Sequence, residues 1–443
     1  MSLRINLDYS STTPLAPEVK EAMGAALEEI ANPSSIHEAG RRARLRLEQA
    51  RRQVAALINA KPVEISFTSC GTEANNWALR GLLAANKRKG QHLIISAIEH
   101  PSVSLVARRL ELEGAKVSIL PVDGEGVVSP ADLKAALTPE TVLVSVMLAN
   151  GEVGTIEPIQ ELAAIAHERG ALMHADGIAA VGHAPVDVNA LGVDALSLAA
   201  NQFYGPAGSG ALFVREGVRI LPLLEGGGQE HGGRSGTEAL PAIVGMGVAA
   251  EMAEERLLGT GDAPAPAWRV GPGEPGTPRQ PAGARGMGGL SRDRGKPPAA
   301  EDCRGVAQRQ DPSLISAKRL RDLRDRLRDG LTARIESVRL NGSWTSRLPH
   351  NLHICIDGLT SESLVLGLDQ AGIAAGLGSA CNSKSMRPSH VLKAMGLTDE
   401  QAKGALVLSV GAPTTEEEID RALEIIPAVV QQLRNVTALT VRL

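Results

Sequence analysis

Residues 141–176, TVLVSVMLANGEVGTIEPIQELAAIAHERGALMHAD, contain two apolar runs with a helical pattern between them. Residues 141–148 form an apolar run of strand length, and residues 172–175 form a second, shorter one. Residues 159–169 predict a helix that Gly170 ends. Two buried strands joined by a helix predict a parallel pair within a larger sheet.

The same alternation extends outward from this unit, from about residue 60 to residue 215. It predicts an α/β fold with a large doubly wound, mostly parallel sheet and helices on both faces. Ligands of such sheets bind at the carboxyl ends of the strands, so functional residues are expected directly after the strands. The further predicted strands are 63–68, 92–98, 116–122, 195–198 and 210–214, and the further helices are 71–85, 103–112 and 130–137, the last with Ser129 as N-cap.

A change of composition divides the remaining chain. Residues 261–312 contain ten glycines and nine prolines without periodicity, which predicts a disordered insert over residues 257–312. A solvated loop is the simpler interpretation of this insert, and a partner-binding segment is the other. Residues 1–256 are expected to form the large domain together with an N-terminal segment of the small one. Helices are predicted on each side of this insert, at 243–258 and 314–335. Residues 313–443 predict a smaller C-terminal α/β domain, with strands at 338–340, 352–356 and 405–409 and a closing helix at 415–435.

The bulk properties exclude several classes of function. The 443 residues carry a formal net charge of −4, which gives no basic footprint for nucleic acid. No run approaches the roughly 18 apolar residues of a membrane span, and the start has no apolar signal core, which favours the cytoplasm. Four cysteines without CxxC spacing argue against a metal site.

Ten short segments, in this order and at this spacing, carry a family resemblance. They are LDYSSTTPL (7–15), NPSSIHEAGRRAR (32–44), FTSCGTEANNWAL (67–79), IEHPSV (98–103), MLANGEVGTIEPI (147–159), HADGIAAVGH (174–183), FYGPAGSGALFV (203–214), GGGQEHGGRSGTE (226–238), GSACNSKSMRPSHVLKAMGL (378–397) and TTEEEID (414–420). Together they resemble the cysteine desulfurases, the NifS-like, aminotransferase class V group of fold-type-I pyridoxal-phosphate enzymes. The resemblance covers residues 5–256 and 313–435. It implies transfer of sulfur from L-cysteine to a cysteine of the chain as a persulfide, leaving L-alanine, for iron–sulfur cluster or other sulfur-transfer pathways.

Four positions match the pyridoxal-phosphate site of these enzymes. Gly71 and Thr72 follow a strand and open a helix, where backbone N–H groups and a hydroxyl form an anion site or only an ordinary helix start. The resemblance makes the cofactor phosphate that anion. It also implies that Asp176, at the end of a strand, keeps the pyridine nitrogen protonated. His100 is implied to stack on the ring and to act as an acid or base.

Two further positions extend the site beyond the large domain. Thr237, in the glycine-rich loop RSGT, is implied to reach the cofactor phosphate of a neighbouring subunit, which predicts a homodimer; a flexible surface loop is the alternative. Cys381 lies among small residues, which suggests a mobile, exposed thiol rather than a buried inert one. Lys384 nearby favours its thiolate. The resemblance makes Cys381 the sulfur carrier.

The sequence departs from the family at the cofactor pocket. The downstream match at Phe203–Pro206 places Gln202 at the position of the Schiff-base lysine that anchors the cofactor. An amide nitrogen has no basic lone pair and cannot condense with an aldehyde, so covalent attachment is not expected. Further family positions in the same pocket are changed, and they are Asn201, Ala199, Ala179, Gly151 and Val407, the last replacing an arginine that binds the substrate carboxylate.

Two functions remain open from the sequence. The first is a weak or inactive desulfurase that binds pyridoxal phosphate noncovalently, with His100 as the only obvious base. The second is a noncatalytic homologue, or pseudoenzyme. It would serve as the dimer partner of itself or of an intact relative, as a scaffold, or as a persulfide relay through Cys381. Both roles predict a sulfur-acceptor protein as partner.

Overall fold

The computed structural model describes residues 4–28, 31–258, 316–377 and 388–440, and its largest feature is a seven-stranded sheet. Two smaller sheets, of three and two strands, accompany it. The strands in chain order are β1 (Ile5–Leu7), β2 (Ile65–Thr68), β3 (His92–Ser96), β4 (Lys116–Leu120), β5 (Thr141–Ser145), β6 (Leu172–Asp176), β7 (Ala195–Ala199), β8 (Gly210–Val214), β9 (Val338–Asn341), β10 (Asn351–Ile356), β11 (Ile373–Ala375) and β12 (Ala405–Ser409).

The helices alternate with these strands in the first half of the chain and flank the small sheets in the second. They are α1 (Pro17–Leu27), α2 (Glu38–Leu57), α3 (Gly71–Ala85), α4 (Pro101–Leu112), α5 (Pro130–Ala136), α6 (Ile159–Glu168), α7 (Val188–Leu191), α8 (Leu240–Leu258), α9 (Ala317–Arg334), α10 (Ser361–Gln370), α11 (His390–Ala394), α12 (Asp399–Ala402) and α13 (Glu416–Thr440). None of these helices is long and apolar enough to cross a lipid bilayer.

The large sheet has the order β2-β8-β7-β6-β5-β3-β4, and the predicted mostly parallel arrangement is confirmed. Strand β8 alone runs antiparallel to both of its neighbours. The connection from β7 to β8 spans only residues 200–209, which is too short for the crossover that a parallel pair needs. This short return begins with a 3₁₀ turn that includes residue 202, three residues after the end of β7.

Both faces of the large sheet are covered, as the apolar strands predict. Successive residues of β3 point to opposite faces, since Ile94 joins the core that contains α2 and α8, whereas Leu93 and Ile95 join the core around α3 and α4. The strands are therefore fixed from both sides, and their carboxyl ends hold loop residues in defined positions.

A second core lies under the small antiparallel sheet, whose order is β12-β10-β9. The N-terminal strand β1 pairs in parallel with β11, and Ile5 and Leu7 are buried in this second core. Strand β1 thus packs with residues beyond 316. The segment from Asp8 to Thr13 then runs back to the large sheet, where Thr13 N donates to the Asn201 carbonyl at 2.9 Å.

Several predicted boundaries move. The predicted strand 141–148 ends at Ser145, and the closing helix runs to Thr440 rather than 435. Ser129 occupies the N-cap position of α5, but its side chain accepts no hydrogen bond there, so it is not the side-chain cap that the prediction implied. The predicted insert, 257–312, lies outside the described residues except for its first two, which belong to α8.

Candidate active site

A cavity of about 360 Å³ lies at the carboxyl ends of the parallel strands, where the sequence predicts a ligand site. Loops after β2, β3, β5, β6 and β7 form one side, and the N-terminal segment and the small unit form the other. Its lining residues are Asp8, Ser10, Ser11, Cys70, Gly71, Thr72, Ile98, Glu99, His100, Pro101, Met147, Ala149, Asn150, Gly151, Glu152, Asp176, Ile178, Ala179, Ala199, Asn201, Gln202, Gly376, Leu377, His390, Val391 and Val407.

The structure brings most of the predicted site residues together on this cavity. Four of the five predicted cofactor-binding positions and all six positions that depart from the family line it. Thr237 is exposed on the surface of its own chain and is not among the described lining residues. Cys381 lies outside the described residues, so its place relative to the cavity stays a prediction.

Asp176 forms the base of the cavity at the end of β6 and is only 4% exposed. Its Oδ2 accepts a hydrogen bond from Asn75 Nδ2 at 2.7 Å, and its Oδ1 accepts one from the backbone N of Ile178 at 3.0 Å. Burial raises the pKa of this carboxyl, whereas these donors and His100 lower it. The donors orient the carboxylate from behind, so that it can hold a protonated nitrogen above it.

His100 precedes α4 at the wall of the cavity. Its Nδ1 accepts from the backbone N of Ser102 at 3.1 Å, and the Ser102 hydroxyl lies 2.7 Å from the same nitrogen. Burial lowers the pKa of His100, and nearby Asp176 partly opposes that shift. A neutral imidazole whose Nδ1 is an acceptor carries its proton on Nε2.

The start of α3 provides the anion-binding end of the cavity. The first-turn N–H groups of a helix have no intrahelical acceptor, and Gly71 and Thr72 occupy that turn. A Cβ at Gly71 would overlap the end of the Ile178 side chain, so a larger residue here would require that side chain to move. Arg234 in the glycine-rich loop donates through Nε to Glu73 at 2.8 Å, which fixes the loop that carries Thr237 against α3.

Comparison with known proteins shows to which family the chain belongs. The pattern of the family Aminotransferase class-V matches residues 5–258, more than half of the chain. The chain belongs to this family. Cysteine desulfurase IscS of Clostridium botulinum (strain Kyoto / Type A2) is 41% identical over 442 residues, which cover 99% of this chain and 97% of that protein. Cysteine desulfurase IscS of Methanosarcina thermophila is 41% identical over 98% of this chain and 94% of that protein.

Solved structures agree with the class-V assignment. A NifS-like protein superposes with a TM-score of 0.79 and 31% identity, covering 97% of this chain and 100% of its own. A structure described as SspA in complex with cysteine superposes with a TM-score of 0.70 and 28% identity, over 93% of this chain and 100% of that one. The predicted large sheet with a smaller C-terminal unit is thereby confirmed as the fold of this group.

Class-V cysteine desulfurases depend on pyridoxal phosphate, and the residues of this cavity fit that group in part. The N-terminal turn of α3 suits the phosphate, and the buried, doubly hydrogen-bonded Asp176 suits the pyridine nitrogen. The residues near the cofactor aldehyde do not fit, because the described lining residues include no lysine to bond it. The residues present therefore suit a bound cofactor but supply no amine for its aldehyde.

Gln202 occupies the 3₁₀ turn after β7, on the cavity wall. Its Nε2 donates weakly to the carbonyls of Ser10 and Ser11, at 3.4 and 3.3 Å. The preceding Asn201 carbonyl accepts from both the backbone N and the hydroxyl of Thr13 at 2.9 Å. The N-terminal segment thus holds the turn in place, which fixes the backbone position from which the side chain of residue 202 extends into the cavity wall.

Sequence reasoning missed four acidic or amide groups of the site. Glu99 is fully buried, with Oε1 accepting from Ser96 Oγ at 2.6 Å and from the backbone N of Met147 at 2.9 Å. Burial raises the pKa of this carboxyl to about 8. The neighbouring His100 was the only available signal for it. The other three are Glu152, directly after Gly151, Asp8 in the N-terminal segment, and Asn75, which lies behind Asp176.

Proposed function

We propose that this chain is a cysteine desulfurase-like protein that holds pyridoxal phosphate noncovalently and turns over L-cysteine weakly or not at all. The observation that carries the proposal is Gln202 on the cavity wall, at the position to which the resemblance assigns the anchoring lysine. Relatives named cysteine desulfurase at about 40% identity over nearly the whole chain support the general activity class. The altered pocket supports the loss of ordinary turnover.

The retained residues support cofactor binding. The N–H groups of Gly71 and Thr72 would bind the phosphate, together with Thr237 contributed by a second copy of the chain. Asp176 would keep a proton on the pyridine nitrogen, and His100 would pack against the ring. When bound, the cofactor supplies a ring that accepts electrons from the carbon next to the amine. These contacts position that ring without any covalent bond to the protein.

The changed residues remove the remaining functions of the pocket. A lysine amine at position 202 would anchor the aldehyde and move the substrate proton, and the amide of Gln202 does neither. His100 is then the group left to take a proton, and loss of a positioned base costs about 10²–10⁴-fold in rate. Val407, 3% exposed on β12, offers no charge to a substrate carboxylate. Each change lowers turnover of an amino acid.

The test is to purify the protein with pyridoxal phosphate, dialyse it, and record both the cofactor absorbance and the sulfide released from L-cysteine. The wild-type chain is expected to lose most of its absorbance on dialysis and to release little sulfide. Gln202→Lys is expected to retain the cofactor. The matched control Asn201→Lys places the same amine one residue away and should not. Wild-type sulfide release at the rate of an intact class-V desulfurase would overturn the proposal.

A noncatalytic role is the second candidate, and the retained Cys381 segment favours it. The chain would then pair with itself or with an intact relative, act as a scaffold, or relay a persulfide from Cys381 to a sulfur-acceptor protein. The exposed position of Thr237, which is outside the cavity of its own chain, suits contribution to a neighbour's site. Sulfide release stays negligible in this case even for Gln202→Lys, which separates the two candidates.

A further inference from the structure

Two histidines line the cavity, and the protein engages opposite edges of their rings. They are His100, which precedes α4, and His390, the first residue of α11. The described lining residues include neither lysine nor arginine, so these two rings are the only basic side chains among them. What the cavity can do to an amino acid therefore depends on which nitrogen of each ring is left for a ligand.

His100 is held by its Nδ1 atom. The backbone N of Ser102 can only donate, so Nδ1, 3.1 Å away, must accept. Asn75 Nδ2 donates to Ser102 Oγ at 2.8 Å and to Asp176 at 2.7 Å, which leaves the Ser102 hydroxyl hydrogen to point at Nδ1, 2.7 Å away. A neutral His100 therefore carries its proton on Nε2, and that edge takes up a proton only after it has given this one away.

His390 is held by the opposite edge of its ring. Its Nε2 lies 3.0 Å from the backbone carbonyl oxygen of Glu99, which can only accept, so a neutral His390 also carries its proton on Nε2. No described residue donates to Nδ1 of this ring. Nδ1 is also not among the enclosed, unpaired side-chain atoms of the described chain, so it is accessible from the cavity that the ring lines. His390 therefore offers the cavity a basic lone pair.

The backbone around His390 is anchored on the side that follows it. Ser389 Oγ accepts from the backbone N of Val391 at 3.1 Å and of Leu392 at 3.4 Å, which caps α11. Val391 and Leu392 are buried in a core that also contains Ile98, two residues before His100. The positive charge of a protonated His390 is close enough to lower the pKa of His100. The two rings therefore lie near each other on one wall.

The other titratable side chains on the wall are weaker candidates for taking a proton from a ligand. An ordinary carboxylate accepts a hydrogen bond from an ammonium group but is too weak a base to hold its proton at neutral pH. Imidazole is the side chain whose ordinary proton affinity matches neutral pH, where a base is most effective. These carboxyl groups and the one thiol belong to Asp8, Glu99, Glu152, Asp176 and Cys70.

We propose that His390 takes the ammonium proton of an amino acid that enters the cavity. This inference rests on the proposed function in taking the cavity as the site of both amino acid and cofactor. An amino acid is an ammonium ion at neutral pH, and its nitrogen cannot attack an aldehyde until it loses a proton. The N–H bond breaks, the proton moves to Nδ1 of His390, and the electron pair stays on the amine nitrogen. Because Gln202 supplies no amine of its own, this step precedes any turnover, and His100 is left for a later proton.

The first measurement needs no cofactor. Nitrogen-15 NMR of the histidine rings in the full cofactor-free chain shows which ring nitrogen carries the proton, with His390→Gln and His100→Gln identifying the signals. The neutral ring of His390 is expected to carry its proton on Nε2 and none on Nδ1. A neutral His390 with its proton on Nδ1 would have no lone pair for the cavity, and that result would overturn the inference.

The second measurement compares two probes that differ in whether their nitrogen must lose a proton. S-methyl-L-cysteine is an ammonium ion at neutral pH, and its methylated sulfur prevents ring formation with the aldehyde. Aminooxyacetate has a neutral nitrogen at the same pH. Absorbance follows the rate at which each probe condenses with pyridoxal phosphate in the presence of the full chain, after subtraction of a protein-free blank. The wild-type chain is expected to accelerate both reactions.

His390→Gln separates proton transfer from a structural role. Its amide keeps an N–H group for the Glu99 carbonyl but has no basic nitrogen. The variant should slow S-methyl-L-cysteine by about 10²-fold, the lower end of the range for loss of a positioned base, and should leave the rate with aminooxyacetate unchanged. Lys393→Gln is the matched control, because it removes a half-exposed cation of the same helix that pairs with Asp399, and it should change neither rate.

Three outcomes would overturn the inference. Equal slowing of both probes by His390→Gln would mean that the ring only shapes the site. An unchanged rate with S-methyl-L-cysteine would show that the ring takes no proton from it, and the same holds if the wild-type chain gives no acceleration over the blank. Sulfide release and cofactor retention decide the proposed function and are not used here. The role of His390 can therefore fail while the proposed function stands, and the ring measurement remains decisive if the proposed function fails.

Discussion

The buried pair Arg51–Glu230 is expected to be among the most costly ion pairs to break. Arg51 Nη1 donates to Glu230 Oε2 at 2.6 Å, and Nη2 donates to Oε1 at 2.9 Å. Both side chains are 2% exposed. The backbone N of Phe67 donates to Glu230 as well, at 2.8 Å. The pair thus joins α2 and β2 to the loop that carries Thr237.

Arg51→Met keeps the length of the side chain but leaves the Glu230 carboxylate buried with one backbone donor. Breaking one side of a buried pair costs about 3–5 kcal/mol, so the free energy of unfolding should fall by that amount. Urea unfolding followed by circular dichroism measures it. The double variant Arg51→Met with Glu230→Gln should recover much of the loss, because no charge is left buried.

The matched control is Lys61→Met. Lys61 and Glu216 approach to the same 2.6 Å, but their side chains are 65% and 63% exposed. Water and salt screen such a pair, so its loss should leave the unfolding midpoint unchanged. If Arg51→Met shifts the midpoint no more than Lys61→Met does, the argument from burial is refuted.

Three further predictions concern the site. Burial raises the pKa of Glu99 to about 8 from an ordinary value of 4.5, so the folded chain holds this proton to higher pH. Its contribution to stability is therefore present below pH 4.5 and is lost as pH rises to 8. The free energy of unfolding should therefore fall by about 1.4 kcal/mol per pH unit between pH 5 and pH 8, and Glu99→Gln should remove this dependence. Urea unfolding at several pH values measures it, and an unchanged pH dependence in the variant would refute the prediction. Asn75→Ala removes the side-chain donor to Asp176 and should weaken pyridoxal-phosphate binding about fivefold or more in equilibrium dialysis, with Asn76→Ala as the control that should not. Cys381→Ser should abolish persulfide labelling of the chain by an intact desulfurase, and labelling that survives the substitution would remove this thiol from the relay.

The sheet was predictable because its strands are apolar runs between helical patterns. The apolar run after Thr141 continues past the end of β5, although the strand pairing stops there. Met147 and Ala149 line the cavity, and Val146 is in the core, so burial rather than strand pairing keeps these residues apolar. Periodicity alone cannot separate those two causes. It also cannot predict that β1 pairs with β11, because three residues carry little pattern and the partner lies hundreds of residues away.

The positions of Gly71, His100 and Asp176 at the cavity were predictable because each lies at the end of a strand or within a few residues of it. Glu99 and Glu152 were not predicted, although each is next to or near a residue that was considered. Their importance depends on burial and on unpaired oxygens, which appear only when the loops are placed against each other. Asn75 acts from behind Asp176 across two elements, and no sequence spacing indicates such a contact.

Among the described residues, the cavity wall offers no amine that could bond the cofactor aldehyde. The most direct measurement is the intact mass of the wild-type protein after loading with pyridoxal phosphate and reduction with borohydride, which makes any bond between the cofactor and a lysine permanent. We predict an unchanged mass for the wild-type chain and a mass increased by one cofactor for Gln202→Lys. A stoichiometric increase in the wild-type protein, mapped by peptide digestion to a single lysine, would contradict it.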